Sequence, residues 1–420
     1  MRGGTPPDTV DEMKVAFTPN ADSTVLSSIP AASPALNRWV GVGHSDNLDA
    51  FAAGSEAARR AISGPDPRLL IVFCADSYDL PELLRGLNQT SGDVPLVGCS
   101  TAGEIATSGP GDSGVVVTAL GGSGFSISTA ASDVVTGRLR EAGAEVAECL
   151  DQVEPLEHKV LLLLTDGLSG DQQEVVRGAY SVVGATVPLV GGCAGDALKM
   201  RKTFQLHNHD VMDNGIVAAA IASDGPLGIG VRHGWRTVGE AMLVTRSAAN
   251  RVYSLNDKPA LDVYLERLDA PAEARTDPAE FTRFAITHPL GLSRRSGEEV
   301  RFIGEANFED RSLGCIAEIP QGGLTWIMEG DVDSVLDATD QSCQEALSGL
   351  EGCAPLGLLA FDCIARRGVL GDDGIRGEVA RIGARAGGAP VAGFYTYGEI
   401  ARTHAVSGFH NQTLVVLAFA

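Results

Sequence analysis

Hydrophobic and polar positions fall into blocks along the chain, and the blocks repeat. "RLLIVFCADSYD" (68–79) opens with a continuous apolar run, as a strand covered on both faces would. "DLPE" follows, in which Asp79 can cap a helix, Pro81 suits its first turn and Glu82 completes a capping box. Leu83, Leu84 and Leu87 share one helical face, Gly92 and Asp93 end the helix, and "VPLVGC" begins the next strand. "GVVVTAL" and "FSISTAA", joined by "GGSG", are expected to pair as a hairpin.

The same order returns downstream. "KVLLLLTDGLSGD" (159–171) reads as a strand, and Asp171 with Glu174 forms a second D-x-x-E cap before the helix "QQEVVRGAYSVVG". "VPLVGG", "GIVAAAIAS" and "GIGVRHGW" are further strands. The bends "PLVGCSTAGEI" (95–105) and "PLVGGCAGD" (188–196) start 93 residues apart, and their leading strands 91 apart, which predicts an internal duplication. A looser third copy comprises "LGLLAFDCIAR" (356–366), the helix "RGEVARIGARAG", "PVAGFYTYGEIA" and the terminal strand "NQTLVVLAFA". Between copies two and three, residues 247–268 read as two short helices and 269–282 as a loop. Residues 332–350 read as a helix whose stripe of Val335, Leu336, Cys343, Ala346, Leu347 and Leu350 is core. The expected fold class is α/β, with two modules of repeated β-α-β-β units, mixed sheets and an internal duplication.

Composition narrows the function. A chain of 420 residues has room for two or three cores. Its net charge of −22, unbroken by a basic cluster, argues against nucleic acid and anionic membrane as partners. No apolar run approaches the roughly 20 residues that span a bilayer. The first 36 residues, rich in Pro, Ser, Thr and Asp, read as a disordered segment without a signal peptide. A cytoplasmic location follows as the expectation, with the eight cysteines as reduced thiols. No C-x-x-C spacing or Cys/His rhythm points to a structural metal.

Candidate chemistry gathers at the bends. Glycine lets the backbone approach a ligand closely, and in α/β folds ligands collect at strand ends. The first bend presents Cys99, Thr101 and Glu104, the second Cys193 and Asp196, the third Tyr397 and Glu399. These are candidate ligand-binding residues, and their acids favour an amine or an amino-acid ammonium over a bare phosphate. The competing reading has the acids capping turn amides. Cys363 and Arg366 could place a thiolate beside a cation, or Arg366 could pair with Glu378. His410 and Asn411 could orient a ligand or tie off a strand edge. His207 and His209, at period two, would face one side of a strand, a geometry that can hold metal or haem. Cys99, Cys193 and Cys363 are also the candidate nucleophiles of a cysteine-dependent enzyme. No G-x-x-x-x-G-K-[ST], H-E-x-x-H or G-x-S-x-G is present.

"PLVGCSTAGEI", "PLVGGCAGD", "THPLGL", the C-x-x-R from Cys363 to Arg366, and "GFYTYGEI…FHNQT" together resemble the FIST family, in order, over residues 38–420. The resemblance implies a FIST N-terminal domain at 37–240 and a FIST C-terminal domain at 241–420. It also implies an intracellular sensory protein of signal transduction that binds a small ligand, an amino acid or a related metabolite. The chain looks like the standalone bacterial type, carrying no recognisable kinase, cyclase or F-box segment. Its output is then expected to pass to a separate signalling protein such as a histidine kinase. Some family members bind haem and sense nitric oxide, which makes a haem-based gas sensor the alternative.

Overall fold

The computed structural model describes residues 38–133, 137–294, 297–403 and 408–420, besides Met1 and Gly3. The N-terminal segment expected to be disordered otherwise lies outside the described residues. One strand–helix–strand–helix–strand–hairpin–strand order occurs three times. The first unit runs β1 (Trp39–Ser45), α1 (Ala50–Ala61), β2 (Pro67–Cys74), α2 (Leu80–Ser91), β3 (Leu96–Ser100), β4 (Glu104–Ala106), β5 (Gly109–Gly111) and β6 (Val115–Gly121). The second runs β7 (Phe125–Asp133), α3 (Leu139–Ala147), β8 (His158–Thr165), α4 (Gln172–Val183), β9 (Leu189–Cys193), β10 (Phe204–His207), β11 (Asp210–Asp213) and β12 (Gly215–Ser223). The third opens with β13 (Leu227–Arg232) and is then interrupted by an insert. That insert holds β14 (Arg236–Ala248), β15 (Arg251–Leu255), β16 (Lys258–Pro259), α5 (Ala260–Arg267), α6 (Pro278–Ala285), β17 (Leu290–Arg294), β18 (Gly297–Arg301), β19 (Ile303–Asn307), β20 (Ser312–Cys315) and β21 (Leu324–Glu329). The unit resumes with α7 (Val332–Ser348), β22 (Gly357–Cys363), α8 (Ile364–Arg385), β23 (Val391–Thr396), β24 (Glu399–Arg402), β25 (Phe409–His410) and β26 (Leu414–Phe419).

The three units exchange hairpins in a cycle. The first sheet is β1-β6-β2-β3-β10-β11, the second β7-β12-β8-β9-β24-β25, the third β13-β26-β22-β23-β4-β5. Each therefore takes its last two strands from another unit. Only β2/β3, β8/β9 and β22/β23 pair in parallel within these sheets. The inner faces of all three meet in one core, where the rings of Phe73, Phe361 and Phe394 stand 4.7–6.1 Å apart. Helices α1 and α2, α3 and α4, α7 and α8 cover the outer faces. This two-sided burial explains the uninterrupted apolar runs of the parallel strands. The insert forms a sheet of its own over a separate core that includes Met242, Tyr264, Phe281 and Ile327.

Local chemistry fixes the units. The Asp79 carboxylate accepts from the Glu82 amide and the Asp171 carboxylate from the Gln173 amide, each cap contributing about 1 kcal/mol. Glu82 and Glu174 do not close capping boxes; they pair with Arg85 and Arg177 one turn on. At Gly98, Gly191 and Gly393 the strand runs so close to its parallel neighbour that a Cβ would lie 2.5, 1.9 and 1.9 Å from a carbonyl oxygen. That contact is why the same glycine recurs in every copy.

Several local expectations need correction. "GVVVTAL" and "FSISTAA" are both strands but no hairpin: β6 already lies between β1 and β2, so β7 must join the second sheet. Residues 247–268 hold one helix, α5, preceded by the strands β15 and β16. Asn256 and Asp257, with φ of 50° and 62°, make the tight turn between those strands. The loop expected at 269–282 contains the start of α6, capped by Asp277 with Pro278 in its first turn. The third-copy strand stops at Cys363, and its helix reaches back to Ile364 with a kink at Gly371.

Candidate functional site

The three bends meet one another around the common axis of the units. The Ala102 amide donates to the Tyr395 carbonyl at 3.0 Å, the Gly195 amide to the Ser100 carbonyl at 3.0 Å, and the Tyr397 amide to the Cys193 carbonyl at 3.1 Å. The cycle is closed, with each bend lying over the strand end of another unit.

Glu104 and Glu399 occupy equivalent places in this ring. The Thr101 hydroxyl donates to Glu104 at 2.6 Å and the Thr396 hydroxyl to Glu399 at 2.5 Å. The second carboxylate oxygen accepts from the Gly114 amide at 3.1 Å in one case, and from the Thr413 amide and hydroxyl at 3.0 and 2.7 Å in the other. Burial outweighs these donors and raises both pKa values to about 7.

Asp196 shapes the loop after the second bend. It accepts from the amides of Met200, Arg201 and Lys202 at 3.0, 2.7 and 3.0 Å, and from the Tyr397 hydroxyl at 2.5 Å. Burial opposes its charge, but the hydroxyl and the amides win and hold its carboxyl below the usual carboxylate range. The Tyr397 oxygen also receives the Leu198 amide at 2.7 Å. These bonds hold Ala197, Leu198 and Met200 at φ of 53°, 61° and 51°, a left-handed conformation that non-glycine residues seldom adopt. Leu198 and Met200 are consequently displayed to solvent, 61% and 59% exposed. Tyr397→Phe should release this loop. Losing the hydroxyl's bonds should cost about 1.5 kcal/mol locally, read as roughly tenfold faster amide hydrogen exchange at Leu198 and Met200. Unchanged exchange there would show that another contact holds the loop.

Arg366 is fully buried and pairs with Asp362 at 2.7 Å and Glu378 at 2.6 Å, which settles its alternatives in favour of the ion pair. It also donates to Thr339 at 2.9 Å and the His233 carbonyl at 3.1 Å. Burial, then the neighbouring Glu378, pushes Asp362 well above the usual carboxylate range. Cys99, Cys193 and Cys363 are buried with thiol pKa values raised chiefly by burial, so none is exposed as a nucleophile. Asn411 is buried and donates to the His410 carbonyl, while the His410 ring meets the Ala401 carbonyl at 3.0 Å. His207 ends β10 and contacts Thr129, whereas Asn208 and His209 form the turn to β11. The two histidines therefore do not share a strand face.

One cleft opens beside the third bend, with a cavity volume of about 680 Å³. It lies between the β8–α4 loop, the Tyr397 ring, the displayed Met200 and the insert residues Ile316–Glu318. Of the ten residues proposed from sequence, Tyr397 alone lines it. Leu168, Ile316, Met200 and Phe409 give it apolar walls, and Asp171, Glu174, Arg177 and Glu318 give it charge. Gln172, in the first turn of α4, is 3% exposed, and its Oε1 has no hydrogen-bond partner. Its Nε2 faces the Ser169 hydroxyl at 3.4 Å and the Gly170 carbonyl at 3.5 Å, an orientation that leaves the acceptor Oε1 as the atom without a partner. Nothing in the pattern around Gln172 distinguishes it from an ordinary helix-start residue.

A FIST N domain model matches residues 68–258, and a FIST C domain model matches residues 260–402. The chain belongs to the FIST family. FIST domains are sensory domains of signal transduction. An uncharacterized protein of Methanocaldococcus jannaschii is 24% identical to this FIST protein over 288 residues, 63% of this chain and 54% of its own length. An uncharacterized protein of Mycobacterium tuberculosis is 24% identical over 400 residues, 90% of this chain and 99% of its own. The FIST chain thus spans about half of the archaeal relative and nearly all of the mycobacterial one. The crystal structure of a cyanuric acid hydrolase from A. caulinodans covers 46% of this chain and 72% of that one at 14% identity. Its TM-score of 0.27 is too low to carry a shared fold. No helix among the described residues is long and apolar enough to cross a membrane.

Proposed function

We propose that this FIST protein is a cytoplasmic small-molecule sensor whose ligand, an amino acid or a related small metabolite, occupies the cleft beside Tyr397. One observation carries the reading: a cleft of about 680 Å³, within the size range of ligand pockets, is lined by Gln172, whose buried Oε1 has no hydrogen-bond partner. The surroundings suit a sensor. Tyr397 touches the cleft with its ring and holds the strained loop 197–200 with its hydroxyl. A ligand against that ring bears directly on how Leu198 and Met200 are displayed, which gives occupancy a surface to be read by a separate signalling protein such as a histidine kinase. The eight cysteines are all free thiols, in keeping with a reducing compartment.

The test is a melting-temperature screen of the purified protein against amino acids and their close derivatives, run beside Ile316→Trp. Ile316 is partly exposed on the cleft wall, so an indole there should fill the cleft while sparing the fold. Compounds that raise the melting temperature of the wild type should lose that effect in the variant. Shifts of equal size in both proteins would place the ligand elsewhere.

A further inference from the structure

The pseudo-threefold arrangement supplies three equivalent seams, each where one bend lies over the strand end of another unit. In two of them a cation from the chain itself bridges the seam. Where the second bend meets the first unit, the Lys199 ammonium bonds both oxygens of Asp76, at 2.9 and 2.6 Å. Where the first bend meets the third unit, the Arg367 guanidinium donates to the Ala102 carbonyl at 3.1 Å, pairs with Asp112 at 2.5 Å and stacks 4.9 Å from the Tyr395 ring centre. Where the third bend meets the second unit lies the open cleft.

The chemistry left in that third seam is that of a cation acceptor. Gln172 Oε1 can only accept and accepts nothing. Asp171, Glu174 and Glu318 line the cleft with Arg177, which is held by Glu174 and faces Glu318 at 3.8 Å, while Arg140 reaches Glu174 at 4.0 Å from outside the lining, so three carboxylates meet two guanidiniums. These rim charges are partly exposed and individually worth little. The excess of carboxylates nevertheless selects against an anion at the buried acceptor, despite the nearby start of α4, whose dipole Asp171 and Glu174 offset. The Tyr397 and Phe409 rings add faces on which an ammonium can rest.

We infer that the group read by this cleft is an ammonium: its N–H bonds Gln172 Oε1, its charge faces Glu174 and Glu318, and an apolar body lies against Leu168, Met200 and Ile316. The ligand class is then a primary amine with an apolar body, and an α-carboxylate is not required. This rests on the cleft being the ligand site.

Phenethylamine, phenylalanine and 3-phenylpropionate share one apolar body and separate the two claims. Calorimetry should find phenethylamine at least tenfold tighter than 3-phenylpropionate and no weaker than phenylalanine. Gln172→Leu should weaken phenethylamine about tenfold, Gln172→Glu should retain or strengthen it, and Ile316→Trp should abolish it, with melting curves confirming that each variant folds. If 3-phenylpropionate binds as tightly as phenethylamine and is lost in Ile316→Trp, the ammonium inference is overturned while the cleft remains the site. If phenethylamine binds equally to wild type, Gln172→Leu and Ile316→Trp, the cleft is not the site and both claims fall. Absence of binding by all three probes at millimolar concentration also overturns the ammonium inference.

Discussion

Replacing Arg366 by methionine lowers folding stability by about 3–5 kcal/mol, as expected when one partner of a buried ion cluster is removed. Arg366, Asp362 and Glu378 are all fully buried, and one guanidinium bonds both carboxyl groups, Thr339 and the His233 carbonyl. Without it, two carboxyls remain without a cation inside the outer core of the third unit. They can escape charge only by both taking up protons, which still leaves the Thr339 and His233 acceptors unmet. Neutralising the partners should relieve part of the damage: Arg366→Met with Asp362→Asn and Glu378→Gln should be more stable than Arg366→Met alone. Urea unfolding of the three proteins measures this. A loss below about 1 kcal/mol for the single variant would mean that the cluster adds nothing to the fold. Ligand-induced melting shifts should survive in the triple variant, because none of the three residues lines the cleft.

The second large effect is a pH dependence set by Glu104 and Glu399. Unfolded, both carboxyls lose their protons near pH 4.5; folded, burial delays the loss to about 7. Between those values the folded chain binds more protons than the unfolded one. Each group's contribution is therefore fully present below pH 4.5, declines as pH rises, and is gone above about 7. The change amounts to about 3 kcal/mol per residue. His233 works in the opposite direction, because burial lowers its pKa from 6.5 to about 4, so its contribution is lost as pH falls through that window. The informative quantity is hence the stability of the wild type minus that of Glu104→Gln or Glu399→Gln, followed from pH 4.5 to 7.5. It should fall by about 3 kcal/mol for each variant, on top of whatever constant cost the amide imposes. A difference that stays flat would show that the Thr101 and Thr396 hydroxyls and the loop amides keep these carboxylates ionised throughout.

The repeat was legible in the chain because each copy must solve the same local problems. Asp79 and Asp171 start helices, and Gly98, Gly191 and Gly393 let a strand pass a neighbouring carbonyl. The exchange of hairpins was not legible, since pairings such as Gly393 with Ile105 join residues nearly three hundred positions apart and leave no short-range trace. The supposed β6–β7 hairpin failed for the same reason: adjacency in sequence says nothing about β1 and β2 already flanking β6. The site followed a related logic. Thr101-x-Gly-Glu104 and Thr396-x-Gly-Glu399 recur because a bend needs them, and their oxygens are spent within the bend and on the loop before β6 or β26. Gln172 has no counterpart signal, and Ile316 reaches the cleft from an insert that the other units lack. Repetition marked what the fold requires, while the cleft lies where the repetition is broken.

The exchanged hairpins also impose an order on synthesis. When residues 104–111 leave the ribosome, the strand they pair with, Val391–Thr396, is nearly three hundred residues from being made. Until then β4 has unpaired backbone groups on its outer edge, and β5 beside it is Gly-Pro-Gly, a poor template for stray pairing. The first sheet of the molecule can close early, but the sheet holding the first hairpin is among the last to form. A nascent chain stopped before β22 would carry two finished-looking units, one of them still lacking the strands of the third and the other with a hairpin that has nowhere to go. The three bends can thus close their ring only after Val391–Thr396 and the bend that follows it have been made.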